Sequence, residues 1–298
     1  EFLLALNQKG YAIDELVGAA KVMKEKSPRL GINCINNIDT CGTGGTGLHV
    51  FNCSSAAGIV VASLDHQVTK HGNKGISSSS GSADFFSNQG AKIQHDHEKI
   101  EAILEASNFI FLFAPLHHPA MKFVMEARQS ISEKTIFNLL GPLTNPLSPT
   151  SQVIGLFSEE YLERYAIAAS RLGINRAAIV HGEDGCDEVS VFAKTQVVET
   201  QNGVTKSWSF NPSDFEIEHK NLADVQVNNP EESSQLILEA FEGRESPASD
   251  MIAVNAAFAI YAAGSMSLEK AFVDAKAAMK EGLALGTLRK YIDATNQQ

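Results

Sequence analysis

The stretch that decides the fold is DTCGTGGTGLHVFNCSSAAGIVVASLDHQVTKHGNKGISSSSGSAD, residues 39–84. It contains a glycine-rich turn, a helix with polar residues at its start, a strand that ends in KHGNK, and a serine-rich loop. Glycine lets backbone N–H groups approach an anion, a helix N-terminus carries partial positive charge, and lysine adds a full charge. Three such elements within one βαβ-sized stretch predict a ligand with more than one phosphate group.

Short apolar strands alternate with helices on both sides of this stretch. The predicted strands are 36–41, 66–70, 91–94, 108–114, 151–157 and 176–182, and the helices between them are 52–64, 82–89, 97–107 and 159–172. This alternation is typical of an α/β fold with a mostly parallel central sheet and helices on its faces. Asn202-Gly203 predicts the turn of a polar hairpin. Three alanine-rich helices are expected at the end of the chain, at about 230–242, 248–263 and 267–294.

Two regions lack the strand pattern and predict a separate helical part. The first has helices at 1–8 and 14–26, with Asp14 as a plausible N-cap. The second has a helix at 119–130 and then a proline-rich run. The chain begins within a helical pattern, so we expect that residues are missing upstream.

The predicted division is discontinuous along the chain. Residues 1–37 and 118–148 are expected to form a small helical domain, and 38–117 and 149–298 a large α/β domain.

Composition excludes several classes of protein. The 298 residues are 44% hydrophobic and 20% charged, which is ordinary for a globular protein. The net charge of −11 argues against binding to nucleic acid or to an anionic membrane, and no apolar run is long enough to span a bilayer. Four cysteines without metal-ligand spacing are interpreted as reduced thiols of a cytoplasmic protein, namely Cys34, Cys41, Cys53 and Cys186.

The glycine-rich turn matches the spacing of the dinucleotide fingerprint at Gly42, Gly44 and Gly47. That fingerprint requires an acidic residue at the end of the second strand, to bind a ribose hydroxyl. Here the second strand ends in Lys70-His71, which favours phosphate instead. We interpret the turn as an anion cradle and not as a nicotinamide site.

The run HGEDGCDEVS at 181–190 places four carboxylates in one loop after a predicted parallel strand. Like charges this close require a cation or a basic partner. Mg²⁺ binds to a few carboxylates together with phosphate oxygens of a substrate, so the loop is a candidate magnesium site. His118, at the exit of a strand, is a candidate for the same pocket, and Arg128 is the best candidate to hold a substrate carboxylate. In His95-Asp96-His97, by contrast, Asp96 is expected to cap a helix.

Taken together, these motifs resemble those of the anthranilate phosphoribosyltransferase family. The resemblance covers nearly the whole chain and rests on GTGG at 42–45, N-x-S-[ST] at 52–55, KHGN at 70–73, SSxSGSAD at 77–84, FLFAPxHHPAMK at 111–122, TIFNLLGPLTNP at 135–146 and HGEDGxDE at 181–188. It implies a fold like that of nucleoside phosphorylases and phosphoribosyltransferases. It also implies a homodimer, two Mg²⁺ ions, and transfer of a phosphoribosyl group from phosphoribosyl pyrophosphate to anthranilate in tryptophan biosynthesis.

The resemblance also implies roles for individual residues. Lys70, Asp187 and Glu188 would be catalytic, and Ser54, Asp187 and Glu188 would bind the metal. The residues that would bind phosphoribosyl pyrophosphate are Gly42, Gly45, Thr46, Val50, Asn52, Cys53, Ser54, Ser55, Lys70, His71, Gly72, Asn73, Lys74, Gly75, Ile76, Ser77, Ser78 and Ser82. Those that would contact anthranilate are Gly42, Asn73, His118, Arg128, Gly141 and Pro142.

Three positions depart from the family pattern. Thr46 stands where the family usually has Asp, Val50 replaces a usual Thr, and Lys74 replaces an Arg after KHGN. Lys74 keeps the positive charge but loses the planar guanidinium.

Two other interpretations remain open at this point. A pyrimidine nucleoside phosphorylase shares the general architecture, but it uses inorganic phosphate and would leave the Asp187-Glu188 pair unexplained. A non-catalytic relative that binds nucleic acid or a metabolite is opposed by the net charge and by the intact KHGN and DE elements.

Overall fold

A computed structural model describes residues 1–32, 34–75 and 79–297 of the chain. Its α-helices are α1 (Phe2–Lys9), α2 (Ile13–Glu25), α3 (Cys53–Ser63), α4 (Ser82–Asn88), α5 (His97–Ser107), α6 (Ala114–His117), α7 (Met125–Gln129), α8 (Ile136–Leu140), α9 (Leu162–Arg171), α10 (Pro230–Phe241), α11 (Pro247–Ala262), α12 (Leu268–Lys280) and α13 (Leu283–Asn296). Its strands are β1 (Ile38–Gly42), β2 (Val68–Gly72), β3 (Phe109–Phe113), β4 (Ser151–Gly155), β5 (Arg176–Gly182), β6 (Thr195–Gln201) and β7 (Val204–Phe210).

The seven strands form one sheet in the order β3-β2-β1-β4-β5-β6-β7. Strands β1 to β5 pair in parallel, and β6 and β7 add an antiparallel hairpin at one edge. The predicted α/β class and the hairpin turn at Asn202-Gly203 are therefore confirmed. The chain runs from β1 outward to β3 and then returns to the other side of β1 at β4. The topological switch point, where open α/β sheets bind ligands, thus lies between β1 and β4.

Two hydrophobic clusters cover the sheet. The larger one joins the strands to helices α3 and α11, most of whose residues are buried. The smaller one joins α2 and α8 to α9 and to β4, through side chains that include Leu16, Leu139, Ile154 and Tyr165. The segments predicted as helical therefore pack together and onto one face of the sheet, while the domain boundaries themselves stay a prediction.

The predicted strand at 91–94 is wrong. This segment has no strand partner, because β3 occupies the sheet edge next to β2. Ile93 still packs against the larger cluster, and the backbone N–H of Lys92 donates to Thr295 Oγ1 at 3.2 Å. The alternation that indicated a strand comes from this one-sided packing.

Three helix predictions also need correction. The helix predicted at 119–130 is a 3₁₀ turn, Pro119–Phe123, followed by the short α7. The helix predicted at 267–294 is divided into α12 and α13 at Gly282, whose φ of 74° is incompatible with a continuing right-handed helix. The helix predicted at 159–172 begins as a 3₁₀ turn, and α9 starts at Leu162.

Neither predicted aspartate acts as a capping side chain. Ala12 is at the N-cap position of α2, and its N–H donates to the Glu15 carboxylate at 2.9 Å. Asp14 lies in the first turn and pairs with Arg171 at 2.6 Å. Asp96 is the N-cap of α5, but its side chain forms no capping hydrogen bond. Among the described residues, the helices all fall short of the length and apolarity that crossing a bilayer requires.

A buried polar network connects β1, β2 and the loop before β4. The Asn145 side chain donates to Asp39 Oδ2 at 2.9 Å and to the Thr69 carbonyl at 2.6 Å. Gln152 Nε2 donates to the same Asp39 oxygen at 3.1 Å. All four residues are at most 2% exposed, so a donor that is lost here is not replaced by solvent.

We predict that Asn145→Ala lowers the free energy of unfolding by about 3 kcal/mol, because it leaves a buried carboxylate and a buried carbonyl short of a donor. Chemical denaturation measures this. Asn228→Ala removes an exposed amide that bonds to Glu232 and is expected to change stability by less than about 0.5 kcal/mol. Equal effects of the two substitutions would show that the network does not stabilise the sheet.

Candidate active site

A cavity of about 890 Å³ lies at the carboxyl ends of the parallel strands, and its lining includes the ends of β1 and β2, Ala114 and Pro115 after β3, and Asp187 and Glu188 from the loop after β5. Strands β1, β2, β4 and β5 each end in a glycine, at Gly42, Gly72, Gly155 and Gly182. Gly42 and Gly155 are paired in register across the switch point. The cavity therefore lies where the strand order predicts a ligand site.

Two acidic residues from the loop after β5 reach the end of β1. The backbone N–H of Gly44 donates to Asp187 Oδ2 at 2.6 Å, and the N–H of Ser54 donates to Glu188 Oε1 at 3.3 Å. A Cβ on Gly155 would overlap the backbone carbonyl of Asp187, and one on Gly42 would overlap its carboxylate. The glycines at the strand ends thus make the room in which the acidic pair lies.

The acidic pair is electrostatically unfavourable by itself. Burial raises the pKa of both carboxyl groups, and the negative charge of Asp187 raises the pKa of Glu188 further. Within the described ranges, neither carboxylate forms an ion pair with a lysine or arginine. A bound cation would relieve the repulsion.

Lys70 lies between this pair and the sheet and is 1% exposed. Its Nζ donates to the Thr40 carbonyl and, at 3.2 Å, to Ser54 Oγ. Its positive charge lowers the pKa of Asp39 on one side and of Glu188 on the other, in both cases against the larger effect of burial. The structure therefore brings Lys70, Ser54, Asp187 and Glu188 together, as the sequence predicts.

The polar start of α3 faces the serine-rich loop. The side chain of Asn52 donates to the Ser80 carbonyl at 3.1 Å and accepts from Ser80 Oγ at 2.6 Å. Its Oδ1 also accepts from Ser233 Oγ at 2.8 Å. Asp84 Oδ2 accepts from the N–H groups of Gly75 and Gly81, at 2.8 and 2.9 Å. Backbone and hydroxyl donors are thus held around the end of β2.

Two neighbouring histidines, His71 and His118, line the cavity between its polar part and a more apolar part. Their Nε2 atoms are 3.1 Å apart, His71 Nδ1 is 3.2 Å from the Gly141 carbonyl, and His118 Nδ1 is 3.0 Å from Ser27 Oγ. Burial lowers the pKa of both imidazoles, so both are neutral at pH 7. The three contacts are hydrogen bonds at once when Ser27 donates to His118, His118 to His71, and His71 to the carbonyl. The Ser27 hydroxyl has one proton, and the Met23 carbonyl at 3.0 Å competes with His118 for it.

The other half of the cavity combines apolar side chains with one guanidinium. Its lining includes Met23, Met121, Met125 and Phe137. The Arg128 guanidinium lies 5.4 Å from the centre of the Phe137 ring, and no carboxylate of the described residues pairs with it. A planar ligand with a carboxylate would match this combination.

Most of the predicted site residues line the cavity. Those that do are Gly42, Gly45, Thr46, Val50, Asn52, Ser54, Lys70, His71, Gly72, Asn73, Lys74, Ser82, His118, Arg128, Gly141, Pro142, Asp187 and Glu188. Cys53, Ser55 and Gly75 are not among the lining residues. The Cys53 thiol instead donates to the Met251 carbonyl in the core, and Ser55 Oγ donates to Ser82 Oγ. Ile76, Ser77 and Ser78 lie outside the described residues.

Several lining residues were missed by the sequence analysis. His49 adopts a φ of 52°, and its Nδ1 accepts from the Ser79 N–H at 3.2 Å. Its position directly after the glycine-rich turn is a signal that could have found it. Phe137 lies within the quoted TIFN motif, but its contact with Arg128 depends on tertiary packing and has no sequence signal.

The three departures from the family pattern all line the cavity. Thr46 Oγ1 accepts from the Leu48 N–H at 3.3 Å, within the glycine-rich turn. Val50 forms an isolated antiparallel bridge with Gln226. Lys74 is exposed at the rim.

Comparison with known proteins decides the family. The model of a glycosyl transferase family, a/b domain, matches residues 35–285. The anthranilate phosphoribosyltransferase of Aquifex aeolicus is 39% identical over 297 residues, which are 99% of this chain and 87% of that protein. This chain belongs to the anthranilate phosphoribosyltransferase family. The relative from Saccharophagus degradans is 41% identical over 97% of this chain and 85% of its own length.

Solved structures of anthranilate phosphoribosyltransferases have the same fold. The structure from Thermus thermophilus has a TM-score of 0.92 at 34% identity, covering 98% of this chain and 88% of that one. The Saccharomyces cerevisiae protein in complex with PRPP and Mg has a TM-score of 0.90 at 28% identity, covering 100% and 84%. Family membership favours the transferase interpretation over both alternatives, the nucleoside phosphorylase and the non-catalytic binding protein.

The raised pKa of Glu188 predicts a pH dependence of stability. Burial and Asp187 raise this pKa from 4.5 to about 8. Between these values the folded chain keeps a proton that the unfolded chain has released, so the stabilisation is complete below pH 4.5 and is lost as the pH rises through about 8. We expect Glu188→Gln to remove this loss in metal-free buffer, as measured by urea denaturation across the window. Parallel pH profiles of the two proteins would contradict the assignment.

Proposed function

We propose that this protein transfers the 5-phosphoribosyl group of phosphoribosyl pyrophosphate to the amine of anthranilate, with release of pyrophosphate, as a step of tryptophan biosynthesis. The observation that carries the proposal is the meeting of Lys70, Asp187 and Glu188 at the switch point, next to an apolar half-cavity that contains Arg128. Family membership supports the same reaction.

Phosphoribosyl pyrophosphate would occupy the polar half of the cavity. The glycine-rich turn supplies backbone N–H groups at the end of β1, and α3 directs its N-terminus toward the same space. Asn52, Asn73, Lys74 and Ser82 surround this region. These are the kinds of donor that bind phosphate oxygens, and the buried ammonium of Lys70 adds a full charge.

The donor set at this end fits Mg²⁺. Two carboxylates with raised pKa values lie beside the Ser54 hydroxyl, and the described ranges contain no cluster of three or more His, Cys, Asp or Glu that could hold a metal by itself. Such a site suits an ion that takes its remaining ligands from water and a substrate diphosphate. We infer two ions, one held by Ser54 and Glu188 and the other by Asp187 and Glu188. When bound, Mg²⁺ would neutralise the charge that develops on the leaving diphosphate.

Anthranilate would occupy the apolar half. Arg128 would bind its carboxylate through two parallel hydrogen bonds, and the methionines and Phe137 that line the same half would contact the ring. His118, Asn73 and Gly141-Pro142 also line the cavity and would contact anthranilate. The amine would thereby be directed at C1 of the ribose.

The chemistry requires positioning more than proton transfer. The amine of anthranilate is neutral at pH 7 and carries a free electron pair, so no strong base is needed for attack. The neutral pair His71 and His118 is consistent with this, because neither imidazole introduces a charge that would oppose the cationic transition state. Holding two reactants in line accounts for a large share of the rate in such reactions.

The assembly and location that go with this function are a homodimer in the cytoplasm. Exposed apolar side chains on α1 and α2, namely Phe2, Leu4 and Val22, support a subunit contact at the N-terminal helices. The four cysteines are free thiols, which supports a reducing compartment.

Replacing both acidic residues tests the metal assignment. We predict that Asp187→Asn with Glu188→Gln abolishes turnover, measured as loss of anthranilate fluorescence, at ordinary Mg²⁺ concentrations. The fold is retained because both amides fill the same space, and a thermal unfolding curve checks this. Activity that persists in the folded variant would refute the site.

Replacing the guanidinium tests the anthranilate end. We predict that Arg128→Ala raises the KM for anthranilate on the order of 30-fold or more, because a charge-assisted pair is worth about 2–3 kcal/mol. The KM for phosphoribosyl pyrophosphate should change little. Arg171→Ala, which removes an exposed arginine outside the cavity, serves as the matched control. An unchanged anthranilate KM in Arg128→Ala would remove this residue from the pocket.

A further inference from the structure

Lys134 connects the helical segment, which is the predicted small domain of residues 1–37 and 118–148, to the glycine-rich turn. It lies just before α8, and its carbonyl accepts from the Asn7 side chain of α1 at 2.6 Å. Its Cε would lie 3.2 Å, and its Nζ 3.9 Å, from a Cβ built on Gly45. The ammonium group is therefore held directly beside the backbone of a residue in the proposed diphosphate site.

The ammonium of Lys134 has an aromatic partner but no carboxylate partner. Its Nζ lies 3.9 Å from the centre of the Phe157 ring. The backbone N–H of Phe157 donates to Thr43 Oγ1 at 3.0 Å, which holds the ring next to the turn. Within residues 1–32, 34–75 and 79–297, no aspartate or glutamate pairs with Lys134. The charge nonetheless acts on Asp187, whose pKa it lowers against the larger effect of burial.

We propose that Lys134 is a further ligand of the diphosphate group, supplied by the helical segment to the turn at Gly44-Gly45. This rests on the proposed function and identifies a residue that neither the motifs nor the cavity lining indicates. With its ammonium on the Phe157 ring, Lys134 is not among the residues that line the cavity. Its side chain is exposed, so it can move without disturbing the core.

The Lys134 ammonium is expected to bind a diphosphate more strongly than it binds the Phe157 ring. A cation–π contact at an exposed site is weak. A charge-assisted hydrogen bond between an ammonium and a phosphate oxygen is shorter and stronger than a neutral hydrogen bond. A diphosphate bound at Gly44-Gly45 would therefore draw the ammonium away from Phe157.

The role of Lys134 in the reaction is electrostatic. The bond between C1 of the ribose and the diphosphate oxygen breaks, and its electron pair stays on that oxygen. The amine nitrogen forms the new bond to C1 and then releases one proton to solvent water. Lys134 stabilises the negative charge on the leaving diphosphate and transfers no proton.

Calorimetry with two anions tests this proposal. Inorganic pyrophosphate with Mg²⁺ represents the diphosphate end, and ribose 5-phosphate represents the other end. We expect Lys134→Met to weaken pyrophosphate binding at least about fivefold, because it removes a charged hydrogen-bond donor. Ribose 5-phosphate binding should stay unchanged. Lys134→Arg, which keeps the charge, should bind pyrophosphate nearly as wild type does.

A matched control removes a charge elsewhere in the helical segment. Lys9→Met eliminates an exposed lysine that pairs with Glu15 outside the cavity, and it should bind both anions as wild type does. In steady-state assays, Lys134→Met should raise the KM for phosphoribosyl pyrophosphate and leave the KM for anthranilate unchanged.

The outcomes separate this inference from the proposed function. Wild-type affinity for pyrophosphate in Lys134→Met would overturn the inference, even if the wild-type protein is an active transferase. Equal weakening of both anions would also overturn it, because that result indicates a structural role. The wild-type protein could fail to transfer phosphoribosyl groups while Lys134→Met selectively loses affinity for pyrophosphate. That result would refute the proposed function and support Lys134 as a ligand of the diphosphate.

Discussion

The site depends on a lysine that is buried between the sheet and the start of a helix. The ammonium of Lys70 donates to Thr40 of β1 and to Ser54 of α3, and carboxylates lie on both sides of it, Asp39 behind and Glu188 in front. A buried charge without compensation costs several kcal/mol, so the two carboxylates must remain near it. On the cavity side, however, Asp187 adds a second negative charge. The free site therefore keeps a proton on Glu188 up to about pH 8, and a cation that arrives with a polyanion would replace that proton.

The two halves of the cavity are built from different parts of the chain. The polar half is formed by strand ends and the loops that follow them, and its glycines allow the backbone to approach a ligand closely. The apolar half is formed by the segment 115–144 together with Met23 of α2. The contacts of Ser27 with His118, of His118 with His71, and of His71 with Gly141 join the segment 115–144 to β2. Lys134 separately reaches the glycine-rich turn at Gly45.

The candidate site could be predicted from the sequence because the carboxyl ends of parallel strands meet at one edge of a sheet. The runs after β1, β2 and β5 could be read separately, and the parallel arrangement brings them together. The sequence could not predict that β4 lies beside β1, because strand order depends on long-range pairing. The strand predicted at 91–94 failed for the same reason: Ile93 faces the core in a segment that has no partner strand. Contacts such as Phe137 with Arg128 or Phe157 with Lys134 join different elements of the fold, and no local pattern encodes them.

The most direct measurement is anomalous diffraction from Mn²⁺ in crystals grown with phosphoribosyl pyrophosphate, since Mn²⁺ takes the same oxygen ligands as Mg²⁺. The account predicts anomalous peaks between the bound diphosphate and the carboxylates of Asp187 and Glu188, with the ammonium of Lys70 facing the same ligand. Peaks at another place in the molecule, or a bound diphosphate that contacts neither the ion nor Lys70, would contradict it.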